Sequence, residues 1–454
     1  MKTVWIDCSY LCHHVELNTG IQRVVRNVVS HLKPLARNDG YRVVPVDISH
    51  GQFRILGFSD LNPQFEQPVP EQAKPKFKNQ VYDYFGRIYE ACRSLLSAIF
   101  PFKSFQSFLY APRQQWGFSY AVDLVTFKPI RFVLGIFSGK PDLPVHVPVI
   151  DDIQAGDKLL LLDSTWYSNI WPTVQNFKNK GAQVTAISYD LIPITHPQFC
   201  DDFLAQVFKQ WFFDSWAYVD NYIAISHTIQ NNLMDFLLAN GKNLSSKKFD
   251  YFLLGADIKT DSKSNQQARP EFDAMFQTPV YLIVSTVEPR KNHDFLLDAF
   301  DLLWQRGLDV NLCIVGRVGW KVEKTMERIL AHSKYKKNLW MWHDISDSEL
   351  NYIYAHSKML LFPSIVEGFG LPIVESLAHG LPVLASDTPV HKEVGGAHIG
   401  YFSLKAPQNL ADQISSIETL GIPPELVVPD NYSWMNWQDS SLMLWKKMLS
   451  GPGL

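Results

Sequence analysis

The stretch Phe362-Pro363-Ser364-Ile365-Val366-Glu367-Gly368-Phe369-Gly370-Leu371-Pro372-Ile373-Val374-Glu375 decides the fold. The apolar run Met359–Phe362 reads as a strand that ends at Phe362. A glycine-bearing loop follows and carries Glu367. Pro372 suits the first turn of a helix, where its missing N–H costs no bond, and Glu375 then lies just inside that helix. Strand, glycine loop and helix in this order are a unit of a parallel sheet covered by helices. The two carboxylates are eight residues apart, so both can face a crevice at the carboxyl end of the sheet. Gly368 and Gly370 let backbone amides approach an anion closely, and the helix start adds unpaired donors for it. A carboxylate takes paired hydrogen bonds from sugar hydroxyls, so two of them suit a sugar and a ribose. The bland alternative is a capped helix start with solvated acids.

Outward from this stretch the alternation continues. A unit starting near Thr278 has strands at Val280–Ser285, Val310–Val315, Leu339–Trp342 and Pro382–Ala385, with helices at His293–Trp304, Lys324–His332 and Ser346–Ala355. The last helix has an acidic start, favourable at the positive end of its dipole. Thr260–Pro270 is polar and reads as a surface excursion near the domain boundary. Upstream, Thr3–Cys8 reads as a buried strand. Ile21, Val24, Val25, Val28, Val29 and Leu32 then recur at helical spacing through Leu35, and residues 42–48 return to β-branched character. Further strands are read at Lys158–Asp163, Gln183–Ser188 and Asn221–Ser226, and helices at Phe203–Trp216 and Thr228–Ala239. The expectation is an α/β protein with domains at 1–270 and 271–430, and a C-terminal helix within 431–454 that packs back on them. Trp434, Trp437 and Trp445 are its expected anchors.

The chain has 454 residues, 42 basic and 45 acidic. That length holds two or three domains, and the balance gives no support to nucleic-acid binding. Cys8, Cys12, Cys92, Cys200 and Cys313 form no C-x-x-C pair and no zinc spacing. They read as free thiols in a reducing compartment. An acid at Asp7 comes too early for a signal peptide, and no run of about 18 apolar residues exists for a spanning helix. A cytoplasmic location is expected. Residues 76–140 stand out, with nine basic and three acidic residues, a net of +6 against -9 for the remainder. Aromatics such as Phe100, Phe102, Phe105 and Trp116 are mixed in. This is either a packed insertion in the first domain or a surface that rests on anionic lipid, peripheral on the inner face of the plasma membrane.

The quoted stretch resembles the Glu-x7-Glu motif of the retaining glycosyltransferases of family 4. The continuation from Ser376 to Ser386 is similar to the same family. So are Glu288-Pro289-Arg290-Lys291-Asn292, the glycine loop Thr19-Gly20-Ile21-x-Arg23, and Tyr189-Asp190-Leu-Ile-Pro193-x-x-His196-Pro197. These matches run from about residue 4 to residue 400. The resemblance implies two facing Rossmann-like domains of the GT-B class with a central cleft. The nucleotide sugar would bind mostly to the C-terminal domain and the acceptor mostly to the N-terminal one. Glu367 would contact donor-sugar hydroxyls and Glu375 the ribose. Arg290 and Lys291 would meet the diphosphate, with Gly20 close to it across the cleft and the turn Gly368, Phe369, Gly370 and Leu371 beside the donor. The basic pair also has a physical case of its own. Transfer leaves a nucleoside diphosphate with growing negative charge, and preplaced cations stabilise that growth.

Two departures from the family pattern are visible. Tyr189 stands where many relatives have a histidine placed against the sugar's C6 hydroxyl. His196 is the nearest replacement, with loop structure or acceptor contact as its other readings. Ser285-Thr286 stands where the family has Gly-Arg or Gly-Thr after the first strand of the second domain, so the loop is less permissive. Asp151-Asp152, His13-His14, Asp201-Asp202 and His343-Asp344 form no complete ligand set, so no metal is expected and none is needed for the diphosphate. The activity implied is transfer of a hexose from a nucleotide sugar, GDP-mannose first, to a polysaccharide or lipid-linked oligosaccharide. The alternatives are a sugar-phosphate synthase on the same scaffold and a non-catalytic carbohydrate-binding or scaffold protein.

Overall fold

The computed structural model describes residues 1–15, 20–51, 53–61, 152–256 and 269–450. The insertion read at 76–140 lies outside them. Among the described residues the strands form two sheets. The first contains β1 (Lys2–Asp7), β2 (Tyr41–Asp47), β3 (Arg54–Ile55), β4 (Lys158–Leu161), β5 (Gln183–Ser188), β6 (Asn221–Ala224) and β7 (Lys248–Tyr251), in the order β3-β2-β1-β4-β5-β6-β7. Every pairing is parallel except β2 with β3. The second contains β8 (Val280–Val284), β9 (Asn311–Val315), β10 (Leu339–Trp342), β11 (Met359–Phe362), β12 (Val383–Ser386) and β13 (Gly400–Phe402), in the order β10-β9-β8-β11-β12-β13, all parallel. In both sheets the strand order reverses beside the first strand of the domain. A crevice therefore opens at the carboxyl ends of β1 and β4, and another at those of β8 and β11.

Parallel strands covered on both faces are apolar almost throughout. From Thr3 to Asp7 every residue of β1 is buried. Trp5 packs edge-on against Phe53 and Phe177, at 5.5 and 6.1 Å between ring centres. Val4 and Ile6 join the opposite layer with Val24, Val25 and Val28. Those valines lie on the helix Gly20–Asn38, which runs past Pro34 to Asn38. Pro34 is on the exposed side, where water can take the carbonyl that its missing N–H leaves free.

Among the elements that escape the sequence reading are the helices Ser9–His13, Trp171–Asn179, Pro389–Gly395 and Pro407–Leu420, and the strands β3, β7 and β13. In β13 the first residue is Gly400. A Cβ there would lie 2.4 Å from Leu384 Cδ2 on the neighbouring strand, so the position needs glycine for close approach rather than for a turn.

The helix Trp437–Leu449 returns to the first sheet's domain. Trp445 is buried, donates its indole N–H to Asp39 Oδ2 at 2.6 Å and meets the Tyr41 ring edge-on at 5.4 Å. Ser440 Oγ donates to the Leu253 carbonyl at 2.6 Å. A Cβ on Gly255 would lie 2.6 Å from the Trp437 backbone, so the crossing is tight.

Candidate active site

Two loops meet at the carboxyl ends of the adjacent strands β8 and β11. After β8 the chain makes a short 3-10 turn over Pro289–Lys291, and Asn292 takes a left-handed conformation (φ 59°) before the helix His293–Gln305 begins. After β11 the loop runs to Gly370, whose φ of 103° favours glycine, and the helix Leu371–Ala378 follows with Pro372 in its first turn. Ile365 N donates to the Arg290 carbonyl at 2.8 Å, joining the two loops.

Glu367 lies between both cations of the first loop. Arg290 Nη1 donates to Glu367 Oε2 at 2.7 Å, and Lys291 Nζ bonds Glu367 Oε1. Arg290 Nε also donates to Glu288 Oε2 at 3.0 Å. Burial alone would raise the Glu367 pKa, but Arg290 and Lys291 outweigh it and hold the group down at about 2. Burial lowers the Lys291 pKa, with Glu367 opposing it. Glu288 is raised by burial against the two cations. Lys291 Nζ lies 5.0 Å from the centre of the Phe362 ring. The result is a buried, alternating cluster of two carboxylates and two cations at the switch point of the second sheet. Such a cluster can exchange internal ion pairs for the charge of a bound diphosphate.

Glu375, eight residues on, is held from the first domain. Arg23 pairs with its Oε1, and the Tyr354 hydroxyl lies 3.4 Å from Oε2. Gly20 opens the helix that carries Arg23. Gly368 has a reason for being glycine that differs from the expected amide approach to an anion: a Cβ there would sit 2.1 Å from the Tyr189 carbonyl oxygen. Phe369 and Leu371 are buried, and Phe369 meets Trp434 edge-on at 6.2 Å. Their side chains are therefore core, and only their backbone is available to a ligand.

The Tyr189 hydroxyl turns inward and donates to the Leu162 carbonyl at 2.6 Å, so it offers no group to the cleft. His196 is not brought to the cluster. Its Nδ1 lies 2.9 Å from Thr195 Oγ1, its ring stacks on Phe199 at 6.0 Å, and it does not line the cleft. Asp190 does line it, beside Arg290. Its Oδ1 accepts from Ile192 N at 2.9 Å, and burial raises its pKa against the pull of Arg290. This cleft has a volume of about 190 Å³.

The switch point of the first sheet holds a second acidic pair. Asp7 Oδ1 accepts from Ser9 N at 3.0 Å and Ser9 Oγ at 2.5 Å, and Oδ2 has no partner among the described residues. Asp163 accepts from Leu11 N and Ser164 N at 2.6 and 2.7 Å. Burial, then the charge of Asp163, push Asp7 up to about 8, and burial pushes Asp163 up to about 6. Ser9, Tyr10, His13, His14 and Ser164 help to line a second recess of about 330 Å³ there. Among the described residues, Cys12, His13 and Asp47 come close enough to share a cation. The guanidinium of Arg54 already occupies that neighbourhood, 3.3 Å from Asp47 Oδ2 and 3.8 Å from Cys12 Sγ. Burial and Asp47 also push the Cys12 thiol up to about 12, which is poor chemistry for a metal ligand.

Residues 265–427 match the family described as Glycosyl transferases group 1. The second domain is a group 1 glycosyltransferase domain. A serotype-specific mannosyltransferase, WbdA of Escherichia coli, is 31% identical over 302 residues, which is 64% of this chain and 37% of that protein. The chain thus spans well under half the length of this relative. O-antigen chain mannosyltransferase B of the same organism is 32% identical over 136 residues, 30% of this chain and 34% of that protein. In fold, the chain is similar to sucrose-phosphate synthase from Thermosynechococcus elongatus, with a TM-score of 0.55, 14% identity and 98% of each chain covered. It is also similar to HepE of Anabaena in complex with UDP and glucose, with a TM-score of 0.51, 13% identity and 98% and 94% covered. The α/β fold is therefore that of the two-domain GT-B glycosyltransferases.

Three contacts of the group 1 domain were missed as site features by the sequence reading. Besides the Arg23–Glu375 pair, Ser226 Oγ donates to the Gly368 carbonyl at 3.1 Å. Glu393 accepts from His227 N at 2.6 Å, Thr228 N at 2.8 Å and Thr228 Oγ1 at 2.5 Å, so it covers the start of the helix His227–Ala239 in the other domain. The only available signal was for Arg23: it lies three residues after Gly20, one turn into its helix. Nothing local marks Glu393 as a partner for residues more than 160 positions away.

Proposed function

We propose that the chain is a retaining glycosyltransferase that moves a hexose from a nucleotide sugar to a polysaccharide or lipid-linked oligosaccharide. Mannose from GDP-mannose is the first choice of donor, supported by the mannosyltransferases among its relatives. The observation that carries the reading is the buried Arg290–Glu367–Lys291 cluster at the switch point of the group 1 domain. In transfer the C1–O bond to the diphosphate breaks and its electron pair goes to the leaving oxygen. The acceptor hydroxyl oxygen forms the new bond to C1, and its proton passes to the leaving diphosphate oxygen. Arg290 and Lys291 stabilise the charge that builds on the diphosphate, in a site where burial strengthens each interaction. Glu367, released in part from those cations, accepts from donor-sugar hydroxyls, and Glu375 from the ribose. The same two cations make a divalent metal unnecessary. The net +6 of residues 76–140 would bring the enzyme to an anionic membrane surface where a lipid-linked acceptor lies.

Incubation with GDP-mannose, UDP-glucose and dTDP-rhamnose, with the product anomer followed by NMR, tests this reading. Transfer or slow hydrolysis of GDP-mannose with retained configuration is the expected outcome. Nucleotide-sugar binding without turnover of any donor would favour a carbohydrate-binding protein instead.

A further inference from the structure

Behind the Arg290–Glu367–Lys291 cluster lies a histidine that the proposed reaction does not use. His391 is fully buried and belongs to the short helix Pro389–Gly395, which follows β12. Thr388 caps the start of that helix, its hydroxyl oxygen accepting from His391 N at 3.4 Å. At the other end the Tyr401 hydroxyl donates to the Gly396 carbonyl at 2.7 Å. Two residues beyond His391, Glu393 is bonded to His227 and Thr228 of the first domain. The helix that carries His391 is therefore fixed on several sides.

Two lines of contact run from the His391 ring to the cluster. The first is a chain of hydrogen bonds. His391 Nδ1 lies 2.9 Å from the Ser386 carbonyl and 3.1 Å from Ser386 Oγ, and that hydroxyl lies 2.5 Å from the Ser364 carbonyl. A carbonyl only accepts, so the Ser386 hydroxyl donates to Ser364, and His391 Nδ1 carries the ring proton and donates to Ser386. Burial lowers the His391 pKa, which keeps the ring neutral with that one proton. Bonds in such a chain polarise and strengthen one another. Ser364 stands at the start of the loop after β11, Ile365 N donates to the Arg290 carbonyl at 2.8 Å, and Glu367 follows two residues later. The second line is packing. The His391 ring meets the Phe362 ring edge-on at 5.1 Å between centres, and Lys291 Nζ lies over that Phe362 ring at 5.0 Å. One buried ring thus backs both Glu367 and Lys291.

The other ring nitrogen, Nε2, has no partner among the described residues. A buried nitrogen left unpaired costs stability, and an apolar side chain at this position would avoid that cost. What histidine supplies and an apolar residue cannot is the N–H at Nδ1. We infer that His391 is a positioning residue: through Ser386 and Ser364 it fixes the loop that places Glu367 between Arg290 and Lys291, and through Phe362 it fixes Lys291. This deepens the reading given under Proposed function and rests on it. Being fully buried, His391 touches no substrate. Its work falls at the moment when the leaving diphosphate draws on Arg290 and Lys291. Glu367 then loses part of its pairing, and the loop must hold it without their help. A misplacement of about 1 Å at a reacting group can cost about 100-fold in rate, so this support is read in turnover rather than in affinity.

The test measures kcat and KM of the full chain for whichever of GDP-mannose, UDP-glucose and dTDP-rhamnose the wild type turns over. Calorimetric titration with the matching nucleoside diphosphate counts the folded, binding-competent sites. His391→Phe keeps a ring against Phe362 and removes the N–H, whereas His391→Asn keeps an N–H donor and removes the ring. Ser386→Ala cuts the same chain at its middle and carries the test where a variant at 391 fails to fold. The expected result is a fall of about tenfold or more in kcat for His391→Phe and for Ser386→Ala, with KM and the number of sites unchanged to within about twofold. The two changes together should cost no more than either alone, because they break one chain. His391→Asn should turn over at least about threefold faster than His391→Phe. Wild-type kcat in the folded variants, equal losses in the Asn and Phe variants, or losses of kcat matched by lost binding sites would overturn the assignment. A wild type that turns over none of the three donors would fail at the reading under Proposed function first, and this assignment would fall with it.

Discussion

Glu367 and Glu375 share a loop and a helix start, yet their partners separate their roles. Glu367 is bound by two cations of its own domain, Arg290 and Lys291. Glu375 is bound by Arg23 of the other domain. In the proposed reaction a ribose would share Glu375 with Arg23 in ground and transition states alike, whereas sugar contacts at Glu367 would tighten as the glycosidic bond breaks. Glu375→Ala is therefore expected to weaken donor affinity about tenfold or more in calorimetric titration. Glu367→Ala should lower turnover by about 100-fold with a smaller change in affinity. Unchanged affinity in the Glu375 variant would remove the ribose assignment. A second residue-scale expectation comes from Asp7. Its carboxyl titrates at about 8 in the fold against an ordinary 3.8. Between those values the folded state binds more protons than the unfolded one, so stability falls as pH rises from about 4 through 8. Asp7→Asn keeps an acceptor for Ser9 and removes the charge beside Asp163 and Asp47. Its thermal midpoint should exceed the wild type's by about 3 °C or more at pH 8 and match it at pH 4. A gain of the same size at both pH values would contradict the ionic origin.

At the scale of elements, periodicity was enough where a single face is buried. The valines of the helix Gly20–Asn38 announce it, and the continuous apolar runs of β8 and β11 read directly as covered parallel strands. The short elements were not legible. In β13 three residues begin with a glycine, chosen by the Leu384 side chain on the next strand. In β7 the residues Lys248, Phe249, Asp250 and Tyr251 alternate charge and ring, as an edge strand can. The site was legible in its residue types and not in its pairings. The sequence marks Gly368 as a glycine, but the Tyr189 carbonyl that requires it lies on another domain. Tyr189 itself looks like a substituted active-site residue and is a core residue bonded to Leu162. The Glu393 contact with the helix His227–Ala239 gives an element-scale prediction. Glu393→Ala strips a charged acceptor from His227 and Thr228 and should cost about 1.5–3 kcal/mol in urea unfolding. Glu393→Gln, which keeps an acceptor, should recover part of it. A cost near zero would show that the helix start is served equally well by water.

In the whole molecule, two Rossmann-ordered sheets are joined through side chains that meet near their carboxyl ends. In the proposed reaction the positive charge facing the diphosphate comes from Arg290 and Lys291, so activity should persist in excess EDTA to within about twofold. Full loss, restored by magnesium or manganese, would contradict this. Whether these cations act on the leaving diphosphate is read most directly from the rate of GDP-mannose turnover in Lys291→Ala. Lys291 is buried on Glu367 and contacts no residue of the first domain in the bonds described, and a melting curve of the variant checks that it still folds. The expected result is a fall of about 100-fold or more in kcat, with a folded protein that still binds GDP. A folded variant that turns over GDP-mannose within about threefold of the wild type would contradict it.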